Sequence, residues 1–412
     1  MDAMPPSPSV RLHHAGTVLP DGVSRAPLST RCGRVATSSA PGAYRIDLRD
    51  HLVFPGLINA HDHLQVNAVP PLAHGAPFAN SYAWIEAFQP HFDDAQVVAA
   101  LRHPKALRLW QGALKNLLAG TTCVAHHDPW HPALDADGFP VALVRDAGWS
   151  YALGWPQYGP PPQRSHAETS PEQPWMIHLA EGTDEVAQSE LAALDAMGCL
   201  ASNSVLVHGV GLRECDIERI IDVGAAVVWC PSSNLALLGA TLDPQRLRRL
   251  HRAGCLALGT DSRLSGARDL LEEMRVALVQ SSLTPRDVLA LATTEAARIL
   301  RLGVRGSLLP GAPADMVIVE DLGGDEAGCL LGLERSEIRA VVRDGVPRIA
   351  DPDFAEWFDV AGVATVPVML DGRPKLLARE LADAALLAIE PGLELAIAAE
   401  GHDAGLRREA QR

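Results

Sequence analysis

The chain has 412 residues, 47% hydrophobic and 21% charged, so most of it can bury enough apolar surface to offset ordering entropy, and global disorder is excluded. Its 35 basic and 50 acidic residues leave a net charge of −15, a surface that repels phosphate backbones and argues against nucleic acid as a partner. The start, MDAMPPSPSV, lacks a basic segment followed by an apolar core, and the apolar stretch ADAALLAIEPGLELAIAAE is broken by acids and a proline within a membrane-length window. No membrane association is expected. Seven cysteines without a CxxC pair suit core thiols in a reducing, cytoplasmic setting.

In chain order, residues 9–50 hold short segments broken by turns (VRLHHAGTVLPDG, YRIDLRD), and residues 304–350 repeat that character. Two β-rich pieces that each leave a sheet face uncovered can combine, so 1–50 and 304–365 are expected to form one small β-sandwich. Between them, residues 51–303 alternate short apolar runs, turns and helical spacing, the pattern of parallel strands with crossover helices. The strand candidates are LVFPGLI, TTCVA, SYALGW, WMIHL, SVLVH, AAVVWC and CLALGT. They are continuously apolar, as strands covered on both faces must be. Helix ends are readable in TDEVAQSELAALDAMG, with Thr183 as cap and Gly198 as stop, and in TPRDVLALATTEAARIL, with Thr284 as cap and Pro285 at the first helical position. The fold class is therefore α/β: a distorted TIM-like barrel with seven strands counted, a sandwich from both chain ends, and a helical tail over 366–412.

Polar side chains at the ends of parallel strands converge on the barrel axis, where such barrels keep their chemistry. PGLINAHDH places His61 and His63 two apart after a buried strand, so both point the same way. IHLAEG supplies His178 with Glu181 three residues on, LVHGVG supplies His208, and LGTDS supplies Asp261. Three histidines and one carboxylate make a borderline nitrogen and oxygen site for one divalent metal.

Together PGLINAHDH, IHLAEG, LVHGVG, VVWCPSSN, LGTDS and PGAPADMVIV resemble the metal-dependent amidohydrolase superfamily, in its mononuclear deaminase and chlorohydrolase branch, from about residue 45 to 345. The resemblance implies that His61, His63, His178 and Asp261 hold the metal, while Glu181 and His208, with Asp261, act on water and substrate. Zinc is the default and ferrous iron fits the same ligands. Other branches bridge two metals with a carboxylated lysine; Lys105, Lys115 and Lys375 are the only lysines and none lies at a strand end, which favours one metal. The implied activity is hydrolysis at an sp2 carbon, most simply deamination of a nitrogen heterocycle. Cyclic amide or imidazolone-type ring hydrolysis and chlorohydrolysis are the alternatives, and a non-catalytic barrel module is the rival from another class. The partner is a small-molecule substrate, and a homodimer stays open.

The chain departs from that family between SYALGW and WMIHL, where PQYGPPPQRSHAETSPEQP is proline-rich and aperiodic. It reads as a loop across the barrel mouth in place of a βα unit, with Gln157, Tyr158 and Arg164 near the substrate. Other candidate substrate contacts are His126 and His127 in CVAHHDPWH, Trp84 with Tyr82 and Phe88, and Arg263, whose competing role is a salt bridge to Asp269 or Glu272. His126, His127 and Asp128 equally suit a rim turn, and such aromatics more often serve helix packing. Cys230 reads as a core thiol.

Overall fold

A computed structural model describes residues 7–72, 75 and 77–396. Eight short parallel strands follow one another around a barrel: Leu57–Asp62, Thr121–His126, Ala142–Leu143, Gly148–Trp149, Trp175–Leu179, Ser204–His208, Ala226–Trp229 and Leu256–Leu258. Ladders join the first strand to the second and the second to the third, and run unbroken from the fourth to the eighth. The backbone N–H groups of Thr260 and Asp261 close the ring by donating to the carbonyl of His61. Among the described residues no ladder joins the third strand to the fourth. The first, fifth, sixth and seventh strands are buried along their whole length, which accounts for their largely apolar sequences.

The strand count thus corrects the expectation of seven. The added strand lies upstream of SYALGW, at Ala142–Leu143, and no helix separates it from the fourth strand. SYALGW itself pairs earlier than its apolar letters suggest: the ladder holds Gly148 and Trp149, and extends as Ser150 N–H donates to Met176 and His178 N–H to Tyr151. The proline-rich stretch contains no strand, as expected, but it does fold into a helix at Pro162–Glu168. Pro161 caps that helix and Pro162 takes its first position, where the missing N–H costs nothing.

LVFPGLI is not one strand. His51–Pro55 pairs with Met316–Glu320 in the sandwich, and Leu57–Asp62 opens the barrel. Gly56 is the pivot between them, since a Cβ there would run into the Thr122 side chain. A nine-stranded sheet takes strands from both ends of the chain, among them Gly16–Leu19, His51–Pro55, Met316–Glu320 and Val346–Ala350. The four-stranded sheet of Val10–His13, Leu28–Arg31, Arg34–Ala36 and Tyr44–Asp47 completes the sandwich region, with Val10, Leu12 and Val35 in the same core as Leu52, Phe54 and Val317.

The tail expected to be helical from 366 is largely β. Thr365–Leu370 and Arg373–Ala378 form an antiparallel hairpin that widens the nine-stranded sheet, and Leu393–Leu395 adds an edge. Among the described residues there, only Ala384–Ile389 is α-helical. The tail expectation over 397–412 lies outside the described residues. Two helix ends agree with the sequence in part: Thr284 caps Pro285–Leu291 in a capping box, whereas Asp184, one residue past Thr183, caps Glu185–Ala196. Among the described residues no helix is long and apolar enough to cross a membrane.

Candidate metal centre and cleft

The first barrel strand delivers His61 and His63 to the C-terminal mouth on one side of its pleat. His178 comes from the end of the fifth strand, with its Nε2 3.1 Å from Nε2 of His63. Asp261 follows the eighth strand, with Oδ1 3.6 Å from Nε2 of His63 and 3.9 Å from Nε2 of His61. Its other oxygen accepts from the hydroxyls of Ser233 at 2.6 Å and Ser265 at 2.7 Å. One oxygen is thus held and the other is turned toward the imidazoles. Of the four residues placed together from sequence, His63 thus lies against both His178 and Asp261, with His61 beside Asp261.

Positive φ values at three strand ends aim this constellation. Ala180, His208 and Asp261 sit at φ of 53°, 76° and 55°, a left-handed conformation that non-glycine residues enter at a cost of about 1–2 kcal/mol each. Each bends the chain off its strand just where a polar side chain must face the axis.

A divalent metal fits these residues. Both ring nitrogens of His61 are buried without a hydrogen-bond partner, and such orphaned groups are rare unless something binds them. The rings around it are held from behind: Asp128 Oδ2 lies 3.0 Å from Nδ1 of His63, and the Tyr151 carbonyl 2.8 Å from Nδ1 of His178. Outer partners of this kind fix tautomer and orientation in metal-binding histidines. Burial opposes protonation of His63, but the carboxylates of Asp128, Asp261 and Asp62 prevail and raise it to about 9. Burial likewise opposes ionisation of Asp261, yet His63, His208 and the two serines hold it below the usual carboxylate range.

Glu181 and His208 face each other beside this centre, with Oε1 3.5 Å from Nε2. Burial pushes the Glu181 carboxyl upward, against the pull of His208. His208 is anchored through Nδ1 to Oδ1 of Asn234 at 2.8 Å. Both line a cleft of about 200 Å³ together with His63, His178 and Asp261.

The substrate candidates divide. Trp84 and Tyr158 line the cleft, Trp84 stacked on Phe88 at 5.4 Å and Tyr158 packed 5.3 Å from Tyr151. Tyr82 is committed to structure, donating to Glu190 and accepting from Gly154 N–H. His126 and His127 are not among the cleft-lining residues; His127 lies behind His178, fully buried. Arg263 is also absent from the lining, and its ion-pair partner is Glu390, at 3.7 Å, instead of Asp269 or Glu272. Arg164 pairs with Glu168 at the surface. Cys230 is fully buried, and burial pushes its thiol well up.

Sequence reasoning missed the supports. Asp62, between the two histidines, points away from the mouth and meets Lys115 Nζ at 3.1 Å, both fully buried. Asn67 bridges the two ligand-bearing loops: its Nδ2 donates to Asp62 at 2.8 Å, and its Oδ1 accepts from Arg263 N–H at 2.9 Å. Only the polar letters of NAHDH hinted at such a layer.

Residues 164–373 match the family described as "Amidohydrolase family". The chain is 31% identical over 160 residues to the 5-methylthioadenosine/S-adenosylhomocysteine deaminase of Pyrococcus abyssi, a match covering 35% of this chain and 37% of that protein. It therefore spans little more than a third of that relative's length. To the 8-oxoguanine deaminase of Pseudomonas aeruginosa it is 26% identical over 354 residues, 68% of this chain and 77% of that protein. The solved structure of an adenosine deaminase from Xanthomonas campestris with bound zinc superposes with a TM-score of 0.66 at 22% identity, covering 87% of this chain and 98% of that one, a likeness of fold.

Proposed function

The chain belongs to the amidohydrolase family, and from that premise we propose that it is a metal-dependent hydrolase that deaminates a nitrogen heterocycle. His61, His63, His178 and Asp261 hold one divalent metal, zinc by default, with ferrous iron suited to the same donors. When bound, the metal lowers the pKa of a coordinated water toward neutrality. The observation that carries the reading is the facing pair Glu181 and His208, 3.5 Å apart in the cleft beside these ligands.

Their division of labour follows from their surroundings. Glu181, kept easy to protonate by burial, takes a proton from the attacking water and passes it to the ring or leaving nitrogen. His208 has its Nδ1 on Asn234, so the neutral ring offers its Nε2 lone pair to the attacking water, and the protonated ring donates to the developing oxyanion. Trp84, Phe88 and Tyr158 give the cleft aromatic walls that suit a flat ring. The purine substrates named for the deaminase relatives support looking first at purines. Seven free cysteines support a reducing, cytoplasmic setting.

The test is an ammonia-release screen of metal-loaded protein over purines, pyrimidines, pterins and triazines. Ammonia from a purine is expected. Chloride release or ring opening without ammonia would move the reading to the chlorohydrolase or cyclic-amide alternative, and no turnover by fully metallated protein would count against catalysis altogether.

A further inference from the structure

Three imidazoles at the centre share one arrangement: each spends one nitrogen on an oxygen behind it. For His63 that oxygen belongs to Asp128, for His178 to the Tyr151 carbonyl, and for His127 to the Ser150 carbonyl, 3.0 Å from Nε2. Ser150 and Tyr151 are consecutive, so the end of the fourth barrel strand fixes His127 and His178 by the same device. A carbonyl only accepts, which places the His127 proton on Nε2 and leaves a lone pair on Nδ1. That Nδ1 is buried with no partner.

The His127 ring is in the right place. The His127 ring stacks on His178 with centroids 4.4 Å apart and meets His61 edge-on at 5.1 Å. One nitrogen from each of His61, His63, His127 and His178 lies within 4.8 Å of the others. The preceding residue, His126, points elsewhere, as strand alternation requires, and is not part of this group.

We infer that His127 is a further ligand of the metal, a fourth imidazole beside His61, His63 and His178, with Asp261 as the carboxylate. The inference rests on the metal-dependent reading above. It turns HHDP from a rim turn into two working parts: His127 facing the metal and Asp128 orienting His63. It also makes the donor set nitrogen-rich, which suits zinc, iron, cobalt or nickel and disfavours magnesium and manganese.

Two measurements test it. Zinc-edge X-ray absorption of the loaded wild-type protein counts imidazoles through their multiple scattering: four are expected, and three would overturn the inference. His127→Phe keeps the stacked ring and removes the nitrogen. Its zinc affinity, read by chelator competition, is expected to fall about tenfold or more, since even outer-layer changes cost that much, and the visible bands of the cobalt-substituted protein should shift. Unchanged affinity with an unchanged cobalt spectrum overturns the inference, and should the variant not fold, the wild-type count still decides. One metal held through three histidines leaves the functional reading standing and removes His127 alone; no metal uptake by wild-type protein fails both.

Discussion

The amide of Asp261 donates to the carbonyl of His61 at 3.1 Å, and the amide of Thr260 reaches the same oxygen at 3.0 Å. The strands that bring the first histidine and the carboxylate are thus tied by their backbones at the level of the site. The separation of these two side chains is set by the ring closure of the barrel. It does not depend on rotamers alone, so anything that parts the first strand from the eighth opens the centre as well.

Gly259 is where this closure is most exposed to mutation. A Cβ there would lie 2.7 Å from Cβ and 2.8 Å from N of His61, distances that only backbone movement can relieve. Gly259→Ala is expected to cost about 1–3 kcal/mol, the usual penalty for overpacking, and to weaken zinc binding in parallel. Denaturant unfolding and chelator competition read the two effects; loss of stability with unchanged zinc affinity would show that closure and site are not coupled.

Glu181 lines the cleft with His63, His178 and Asp261 and faces His208 at 3.5 Å. Glu181→Gln is expected to keep nearly full metal content while turnover falls about a hundredfold or more, the typical contribution of a general acid–base group. Metal analysis beside steady-state kinetics on the substrate found by ammonia release checks both halves. Wild-type turnover in the variant would remove the proton-transfer role.

The parts legible in the sequence were those encoded within one strand and its end. His61, His63, His178, His208 and Asp261 each follow an apolar run, and the barrel mouth gathers strand ends whatever the loops do. Ala142–Leu143 was hidden because VALV is only four residues between Pro140 and Arg145, too short to show periodicity. The hairpin of 365–378 does carry a local signal: Asp371 and Gly372 both have positive φ, the Asp-Gly pair that tight hairpins favour. Partnerships between distant segments, such as Arg263 with Glu390 or Lys115 with Asp62, left no local trace, since a lysine in a helix reads as a surface residue until packing shows otherwise.

Lys115 is the cation of a wholly buried network. It donates to Asp62 at 3.1 Å and to Asn67 at 2.9 Å, while Asn116 donates to Asp62 at 2.7 Å. Lys115→Met leaves the carboxylate buried beside neutral donors, the amides of Asn59, Asn67 and Asn116 and the Thr260 hydroxyl, and removing one member of a buried pair costs about 3–5 kcal/mol. The double variant Lys115→Met with Asp62→Asn removes the charge as well and is expected to recover a good part of that loss. A denaturant midpoint series over the three proteins measures it; a double variant no better than the single would mean that Lys115 stabilises through packing of its stem.

Glu190 should make stability depend on pH. It is buried on Glu185–Ala196, accepts from Ala180 N–H at 2.6 Å and from the Tyr82 hydroxyl, and burial raises it from 4.5 to about 7 against those hydrogen bonds. A raised carboxyl means the folded protein keeps a proton that the unfolded chain releases above about pH 4.5. Stability from this group is therefore full below that pH, declines as pH rises toward 7, and is gone above it. The shift corresponds to roughly 3 kcal/mol at most. Glu190→Gln cannot titrate, so the stability of wild type relative to this variant is expected to fall by a few kcal/mol between pH 4.5 and 8, with the change concentrated below pH 7. Comparing the two proteins cancels the contribution of Glu273, which burial raises to about 8. Urea unfolding at half-unit steps gives the two curves. Parallel curves would mean that Glu190 is ionised in the folded protein throughout, with Ala180 and Tyr82 offsetting its burial in full.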